Sequence, residues 1–142
     1  MHQIVVDSSV RAKMTLDKGL FEWEVIIEKF CINAWVGVCV TENFNYETWA
    51  GCKPTGWVLG FCGDFYNSNK RLNYCSPFRK DNIKITVHLN TYKKTCAFSV
   101  NGTKHSEISV NNLPSKLYPV VSLCTPGRLR IQSYRKRLIF DN

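Results

Sequence analysis

The chain has 142 residues, of which 44% are hydrophobic and 21% charged, and its formal net charge is +8. This length corresponds to one domain, and the composition is that of a folded globular protein rather than a disordered one. No apolar run approaches the roughly 20 residues that a membrane-spanning helix requires. The positive charge is compatible with nucleic acid, anionic lipid or acidic peptides as partners, but it selects none of them.

Short segments of alternating apolar and polar residues follow one another along the chain, separated by Gly, Pro, Asn and Asp. The alternation predicts strands at 3–6, 10–16, 20–28, 34–40, 57–61, 83–89, 95–100, 105–110, 119–124 and 128–134. This succession predicts an all-β fold, a two-sheet antiparallel β-sandwich or jelly roll. We expect a single domain over 1–142, with its core at about 10–134 and a basic C-terminal tail at 135–142.

The segment KGLFEWEVIIEKF (18–30) places Glu22 and Glu24 on either side of Trp23. In a strand both carboxylates point to one face and Trp23 to the other. Paired carboxylates are the catalytic groups of many glycosidases, but the neighbouring rings, Phe21 and Trp23, alternate onto the opposite face. We therefore predict a buried Trp23 beneath a polar face, and a carbohydrate-active or lectin-like site remains a third hypothesis.

The segment 81–110 carries a clear hairpin pattern. Strand 83–89 alternates apolar and polar residues, and His88 falls on its polar, solvated face. Asn101-Gly102-Thr103 fits the acceptor pattern for N-glycosylation. Asn101-Gly102 is also the residue pair typical of a type I′ turn, so we interpret this segment as a turn.

The seven cysteines are widely spaced and never form Cys-x-x-Cys; they are Cys31, Cys39, Cys52, Cys62, Cys75, Cys96 and Cys124. Zinc sites need close pairs of ligands, so we predict no metal and no cofactor. Several of these cysteines lie in apolar strands, as small core residues do. The pattern favours a reducing compartment and an intracellular protein, in the cytoplasm or nucleus.

Six segments resemble, in order, the landmarks of a SPRY domain: FEWEV (21–25), AWVGVCV (34–40), GWVLG (56–60), DNIKITVHLN (81–90), CAFSVNG (96–102) and LYPVVSL (117–123). The chain is most similar to the branch that carries SPRY alone. The resemblance implies a concanavalin-like sandwich of two bent antiparallel sheets without catalytic activity. It also implies a protein-interaction module that presents loops at one end of the sandwich.

The first loop, VRAKMTLDKG, resembles that of the SPRY-domain and SOCS-box proteins, in which a loop arginine helps to hold a short acidic, Asn-rich peptide. This resemblance implies a binding role for Arg11. It also implies pocket positions at Thr55, Trp57 and Pro126-Gly127, although the family subset has a tryptophan where this chain has Pro126.

Two predicted loops, 41–56 and 61–71, are rich in aromatic residues, which interfaces favour. We expect Trp49 and Phe65 to pack in the core, Tyr46 and Tyr66 to be exposed, and Trp57 to be half core and half pocket floor. The predicted partner-binding residues are Arg11, Lys13, Tyr46, Thr55, Trp57, Tyr66, Asn67, Pro126 and Gly127.

The sequence thus predicts a monomeric, non-enzymatic adaptor that binds a protein or peptide segment, for which an acidic composition would suit the net charge. The alternative is an RNA- or nucleic-acid-binding module that uses a basic patch at the C-terminus. That patch consists of Arg128, Arg130, Arg135, Lys136 and Arg137. Few aromatic residues accompany it for base stacking, which favours a solvated rim instead.

Overall fold

The computed structural model describes residues 2–4, 9–11, 18–29, 34–39, 56–67, 70–110, 117–123 and 128–137. Across these ranges the chain forms thirteen strands and no helix, and every strand pairing is antiparallel. The strands belong to two separate sheets. The predicted all-β, two-sheet class is therefore confirmed.

Sheet A has seven strands, which are in spatial order β1 (His2–Ile4), β13 (Arg128–Arg137), β3 (Leu20–Lys29), β8 (Ile83–Asn90), β9 (Thr95–Val100) and β10 (Thr103–Lys104), with β11 (Ile108–Ser109) also pairing with β9. Sheet B has six strands, in the order β2 (Ser9–Arg11), β12 (Tyr118–Leu123), β4 (Ala34–Cys39), β5 (Gly56–Gly60), β6 (Asp64–Asn67) and β7 (Lys70–Asn73).

The core lies between the two sheets because each central strand buries alternate residues. Along β3, buried and half-buried residues alternate from Leu20 to Glu28, and β8 repeats the pattern. Phe65 of sheet B approaches Phe98 of sheet A with their ring centroids 6.1 Å apart. The inward faces of both sheets thus form one apolar cluster, and the predicted burial of Trp23 is confirmed.

The turn at Asn101-Gly102 has the predicted conformation, with φ of 50° and 87° at its two residues. Both angles are positive, as a type I′ turn requires. Asn101 also accepts a hydrogen bond at Oδ1 from the Lys84 N–H, at 2.9 Å, and donates its own N–H to the Lys84 carbonyl, at 2.8 Å. The side chain of Asn101 therefore joins this turn to the neighbouring strand.

Three predictions of secondary structure were wrong in whole or in part. The strand predicted at 105–110 is limited to β11, Ile108–Ser109, because 105–107 are not part of a strand. The segment 61–71 was expected to be a loop, but most of it belongs to the β6–β7 hairpin. Phe65 is the one large residue of β6 and β7 that lies in the core, so the alternation of apolar and polar residues is too weak to identify the hairpin. The last strand was expected to end at 134, but β13 continues to Arg137 because β3 offers pairing partners as far as Leu20.

Within the part of the chain that the structure describes, no helix has the length and apolar character needed to span a membrane.

Candidate interaction surface

One register row crosses the whole of sheet B and includes two of the predicted binding residues. The row passes through Arg11, Val120, Gly37, Val58, Tyr66 and Arg71. Directly paired residues share a face of a sheet. The adjacent row contains Leu59 and Phe65, which face sheet A, so Tyr66 lies on the outer face of sheet B. Arg11 and Tyr66 are four strands apart along the row, roughly 19 Å at about 4.8 Å per strand.

Trp35 and Tyr66 form an aromatic pair on this outer face. A side chain at Gly60 would lie 3.0 Å from atoms of both rings, Nε1 of Trp35 and Cε2 of Tyr66. Gly60 therefore leaves room for the two half-buried rings to lie over the same stretch of backbone. Sequence reasoning did not select Trp35, although the alternation in AWVGVCV does place it opposite the core residues Val36 and Val38.

The Tyr66 hydroxyl lies 3.0 Å from the Cys62 Sγ and is half-buried rather than exposed as predicted. Burial, followed by the contact with Cys62, raises the pKa of Tyr66 to about 12, and a hydrogen bond with Arg71 offsets part of this rise. The phenol is therefore neutral at physiological pH and able both to donate and to accept a hydrogen bond. Arg71 also lies 3.7 Å from Asp64 and leaves 72% of its side chain exposed.

The side chain of Asn67 forms a hydrogen bond within sheet B. Its Nδ2 donates to the Gly56 carbonyl at 2.6 Å, which ties the end of β6 to the start of β5. This bond fixes the position at which the β6–β7 hairpin leaves sheet B.

Trp57 lies in the core with 6% of its surface exposed, which confirms the core half of its prediction. It pairs with Val38 and points to the face opposite Tyr66. A role as pocket floor stays a prediction, and the small exposed area restricts any such contact to an edge of the ring.

The other predicted binding residues, Lys13, Tyr46, Thr55, Pro126 and Gly127, lie outside the described residues, and so does Trp49. Arg11 is placed through the pairing of its strand, opposite Val120.

A second polar cluster occupies the outer face of sheet A. His88 lies with Nε2 2.7 Å from the Ser99 Oγ and Nδ1 3.4 Å from the Glu22 Oε1. His88 is on the polar face as predicted but is half-buried rather than solvated, because these neighbours cover it. Glu24 lies 3.7 Å from the Lys84 Nζ. Both glutamates of the glycosidase hypothesis are thus engaged with side chains of β8.

The order Ser99–His88–Glu22 corresponds to that of a serine hydrolase triad, but the position of Ser99 does not favour nucleophilic attack. Ser99 is 6% exposed. The adjacent cavity, of about 180 Å³, is lined by Glu22 and His88 together with Lys104 and Glu107, and Ser99 is not part of the lining. The cluster therefore serves to hold β3, β8 and β9 together across the sheet.

The basic patch lies along a strand. In β13, Arg130 pairs with Ile26, Arg135 with Glu22 and Arg137 with Leu20. Tyr134 pairs with Trp23, so Tyr134 and Arg135 belong to adjacent rows of the ladder.

Among the described side chains, no group of three or more His, Cys, Asp or Glu is arranged to hold a metal ion.

The arrangement of two antiparallel sheets around one core is that of a β-sandwich. The family model of the SPRY domain matches residues 21–134, and the chain belongs to this family. SPRY domains are generally protein-interaction modules.

Two known proteins show the extent of the similarity. The chain is 31% identical over 114 residues to a Drosophila melanogaster protein described as a Ran-binding proteins 9/10 homolog. That match covers 77% of this chain and 11% of the relative, so the chain spans about a ninth of the relative's length. The SPRY domain of human HERC1 superposes with a TM-score of 0.70 at 22% identity, over 87% of this chain and 80% of that one.

Proposed function

We propose that this SPRY domain is a non-catalytic adaptor that binds a short extended segment of a partner protein. The bound segment lies on the end loops of the sandwich and the adjoining outer face of sheet B. The observation that carries the proposal is the aromatic pair of Trp35 and Tyr66 over Gly60. Tyr66 belongs to the register row that begins at Arg11 and ends at Arg71.

The chemistry of this surface suits a peptide with carboxylate groups. Arg71 exposes most of its guanidinium, and the neutral Tyr66 hydroxyl offers a hydrogen bond beside it. Aromatic rings and arginines contribute most of the binding energy at typical interfaces. The resemblance to the SPRY-domain and SOCS-box proteins supports Arg11 as a further contact, with Lys13, Tyr46, Thr55, Pro126 and Gly127 around it.

The domain acts as a monomer inside the cell. Cys62, Cys75 and Cys96 are free thiols, which supports a reducing compartment.

The first test is affinity capture with the purified domain, in the presence and absence of ribonuclease, followed by titration of the captured partner. Arg11→Ala should weaken the binding of the partner by about tenfold or more, because truncation of a central anchor costs over about 2 kcal/mol. Its melting temperature should stay that of the wild type. Arg79→Ala, which removes an exposed cation outside the row, is the matched control and should bind normally.

Retention of a protein partner after ribonuclease treatment, with loss on Arg11→Ala, is the expected result. Capture that disappears with ribonuclease and is indifferent to Arg11→Ala would overturn the proposal in favour of the basic patch on β13. Affinity for single-stranded RNA would then fall with log salt concentration by about 0.7 per phosphate contacted.

A further inference from the structure

β7 is the edge strand of sheet B. It pairs with β6 on one side, and within the described ranges no strand pairs with its other side. All four of its residues, Lys70 to Asn73, are exposed. Edge strands carry unpaired N–H and C=O groups, which makes them templates for an additional strand.

The apolar face of sheet B continues onto this edge. Leu72 pairs with Phe65, and Phe65 pairs with Leu59, so the three residues share the face that packs against sheet A. Leu59 and Phe65 are buried, at 0% and 7% exposed, whereas Leu72 is 53% exposed. The apolar row therefore extends one residue beyond the cover that sheet A provides. One additional strand with an apolar residue opposite Leu72 would complete that cover.

The ladder between β6 and β7 determines which backbone groups point outward. Tyr74 N–H donates to the Gly63 carbonyl at 2.9 Å, immediately before the first pair of the hairpin, Asp64 with Asn73. Hydrogen-bonded and non-hydrogen-bonded pairs alternate in an antiparallel ladder. Leu72 then bonds inward to β6, and the N–H and C=O groups of Arg71 and Asn73 point away from the sheet.

The charge of the edge indicates the composition of the strand that would bind. Lys70 and Arg71 are adjacent and exposed, and the chain as a whole carries +8. A second copy of the chain would bring the same basic edge and the same +8 charge against this one, and like net charges repel. We propose that β7 binds an extended acidic segment of a partner protein by β-strand addition, with an apolar residue of that segment opposite Leu72.

The short length of β10 and β11, the described strands on the far side of β9 in sheet A, favours β7 as the docking edge. Each has two residues, and 105–107 interrupt them, so they offer no continuous ladder. Such short, irregular edges are a common protection against strand pairing.

This inference shares Arg71 with the proposed binding surface but involves neither the end loops nor Arg11, and main-chain hydrogen bonds supply its affinity. A peptide tests it directly: acetyl-Thr-Thr-Val-Glu-Glu-Thr-Thr-amide, which places Val opposite Leu72 and the two Glu opposite Arg71 and Lys70 in antiparallel pairing. Titration into the ¹⁵N-labelled domain should shift the amide resonances of 70–73 in a saturable manner. The same peptide N-methylated at its second Thr and first Glu keeps its side chains but loses the two N–H donors, and it should not bind.

Two variants examine the side chains. Leu72→Thr keeps the strand propensity but removes the apolar contact, and Arg71→Glu reverses one charge; each should weaken binding about fivefold or more. Arg79→Glu makes the same change in net charge away from β7 and should bind as the wild type does.

Each outcome is decisive and separate from the Arg11 test. The absence of shifts at 70–73 up to millimolar peptide would overturn the proposal, as would equal binding of the N-methylated peptide. Concentration-dependent dimers that Leu72→Thr abolishes would show that a second copy, and not an acidic segment, occupies the edge. Binding that survives Arg11→Ala but fails with Leu72→Thr would support β7 whatever the end loops do.

Discussion

At the scale of the residue, Trp23 contributes the largest fully buried side chain of the described core. It is 1% exposed and lies between Val87 of β8 and Tyr134 of β13 in the sheet register. Its neighbours in the chain, Glu22 and Glu24, point to the opposite face and contact β8 there. One tryptophan therefore anchors the centre of sheet A to the core.

Truncation of this ring should be costly because the surrounding strands are paired and unable to collapse into the space. We expect Trp23→Ala to lower the free energy of unfolding by roughly 3–5 kcal/mol, as for other buried aromatic residues. Urea denaturation monitored by circular dichroism measures the loss. Lys93→Ala, in the exposed turn before β9, is the control and should change little. A loss under about 1 kcal/mol for Trp23→Ala would contradict the register of β3.

Tyr74 links the β6–β7 hairpin to sheet A through its hydroxyl. The hydroxyl donates to the Ser106 carbonyl at 2.6 Å and accepts from the Phe98 N–H at 3.1 Å. Burial raises the pKa of Tyr74 from 10.0 to about 12. The native state therefore keeps a proton that the unfolded chain loses above pH 10. This contribution to stability is complete below about pH 10 and disappears as the pH rises towards 12.

Tyr74→Phe should have two effects. At pH 8 the variant should be about 1–3 kcal/mol less stable, because the Phe98 N–H loses its acceptor. Between pH 10 and 12 its stability should decline less steeply than that of the wild type, because one titrating group is absent. Urea midpoints at several pH values measure both. Tyr92→Phe, at a ring that is 58% exposed, is the control, and an equal alkaline slope in Tyr74→Phe and wild type would refute the linkage.

At the scale of the element, the β6–β7 hairpin depends on Gly63. Gly63 has φ of 87°, and its carbonyl accepts hydrogen bonds from the N–H groups of both Tyr74 and Cys75. A side chain at this position would overlap the Cys75 carbonyl oxygen. The hairpin can therefore approach the base of β5 only because residue 63 has no Cβ.

Gly102 allows the steric part of this effect to be measured. It has the same φ of 87°, but a side chain there would meet nothing within 4 Å. Gly102→Ala should lose only the backbone preference, about 1–2 kcal/mol. Gly63→Ala should lose clearly more, because the overlap with Cys75 adds to the same backbone cost. Equal losses in parallel urea denaturation experiments would show that the contact at Gly63 relaxes without cost.

At the scale of the whole molecule, the sandwich separates three candidate surfaces around one core. The outer face of sheet B carries Trp35 and Tyr66, its edge carries Leu72, and the outer face of sheet A carries the Glu22–His88–Ser99 cluster. The HERC1 domain has the same fold at 22% identity. The same fold therefore accommodates different side chains at most positions of the two chains.

Alternation along 20–27 and 83–89 determined β3 and β8, because a strand with one buried face has a period of two residues. Asn101-Gly102 determined its turn through backbone conformation, and six ordered motifs indicated the SPRY family. Only the tertiary structure decided the β6–β7 hairpin and the extension of β13 to Arg137. Those segments are mostly polar, so hydrogen bonds to neighbouring strands hold them in place: β6 pairs with β5 and β7, and β13 pairs with the distant β3.

The candidate sites were likewise determined partly by the local sequence and partly by the tertiary structure. Residue types and the family resemblance selected Tyr66 and Arg11 from the sequence. The approach of both Trp35 and Tyr66 to Gly60, and the exposure of Leu72 beside Phe65, arise from strand order and register. Local sequence encodes which face of a strand is apolar, whereas which strand lies beside it, and where the sheet ends, depends on packing over the whole chain.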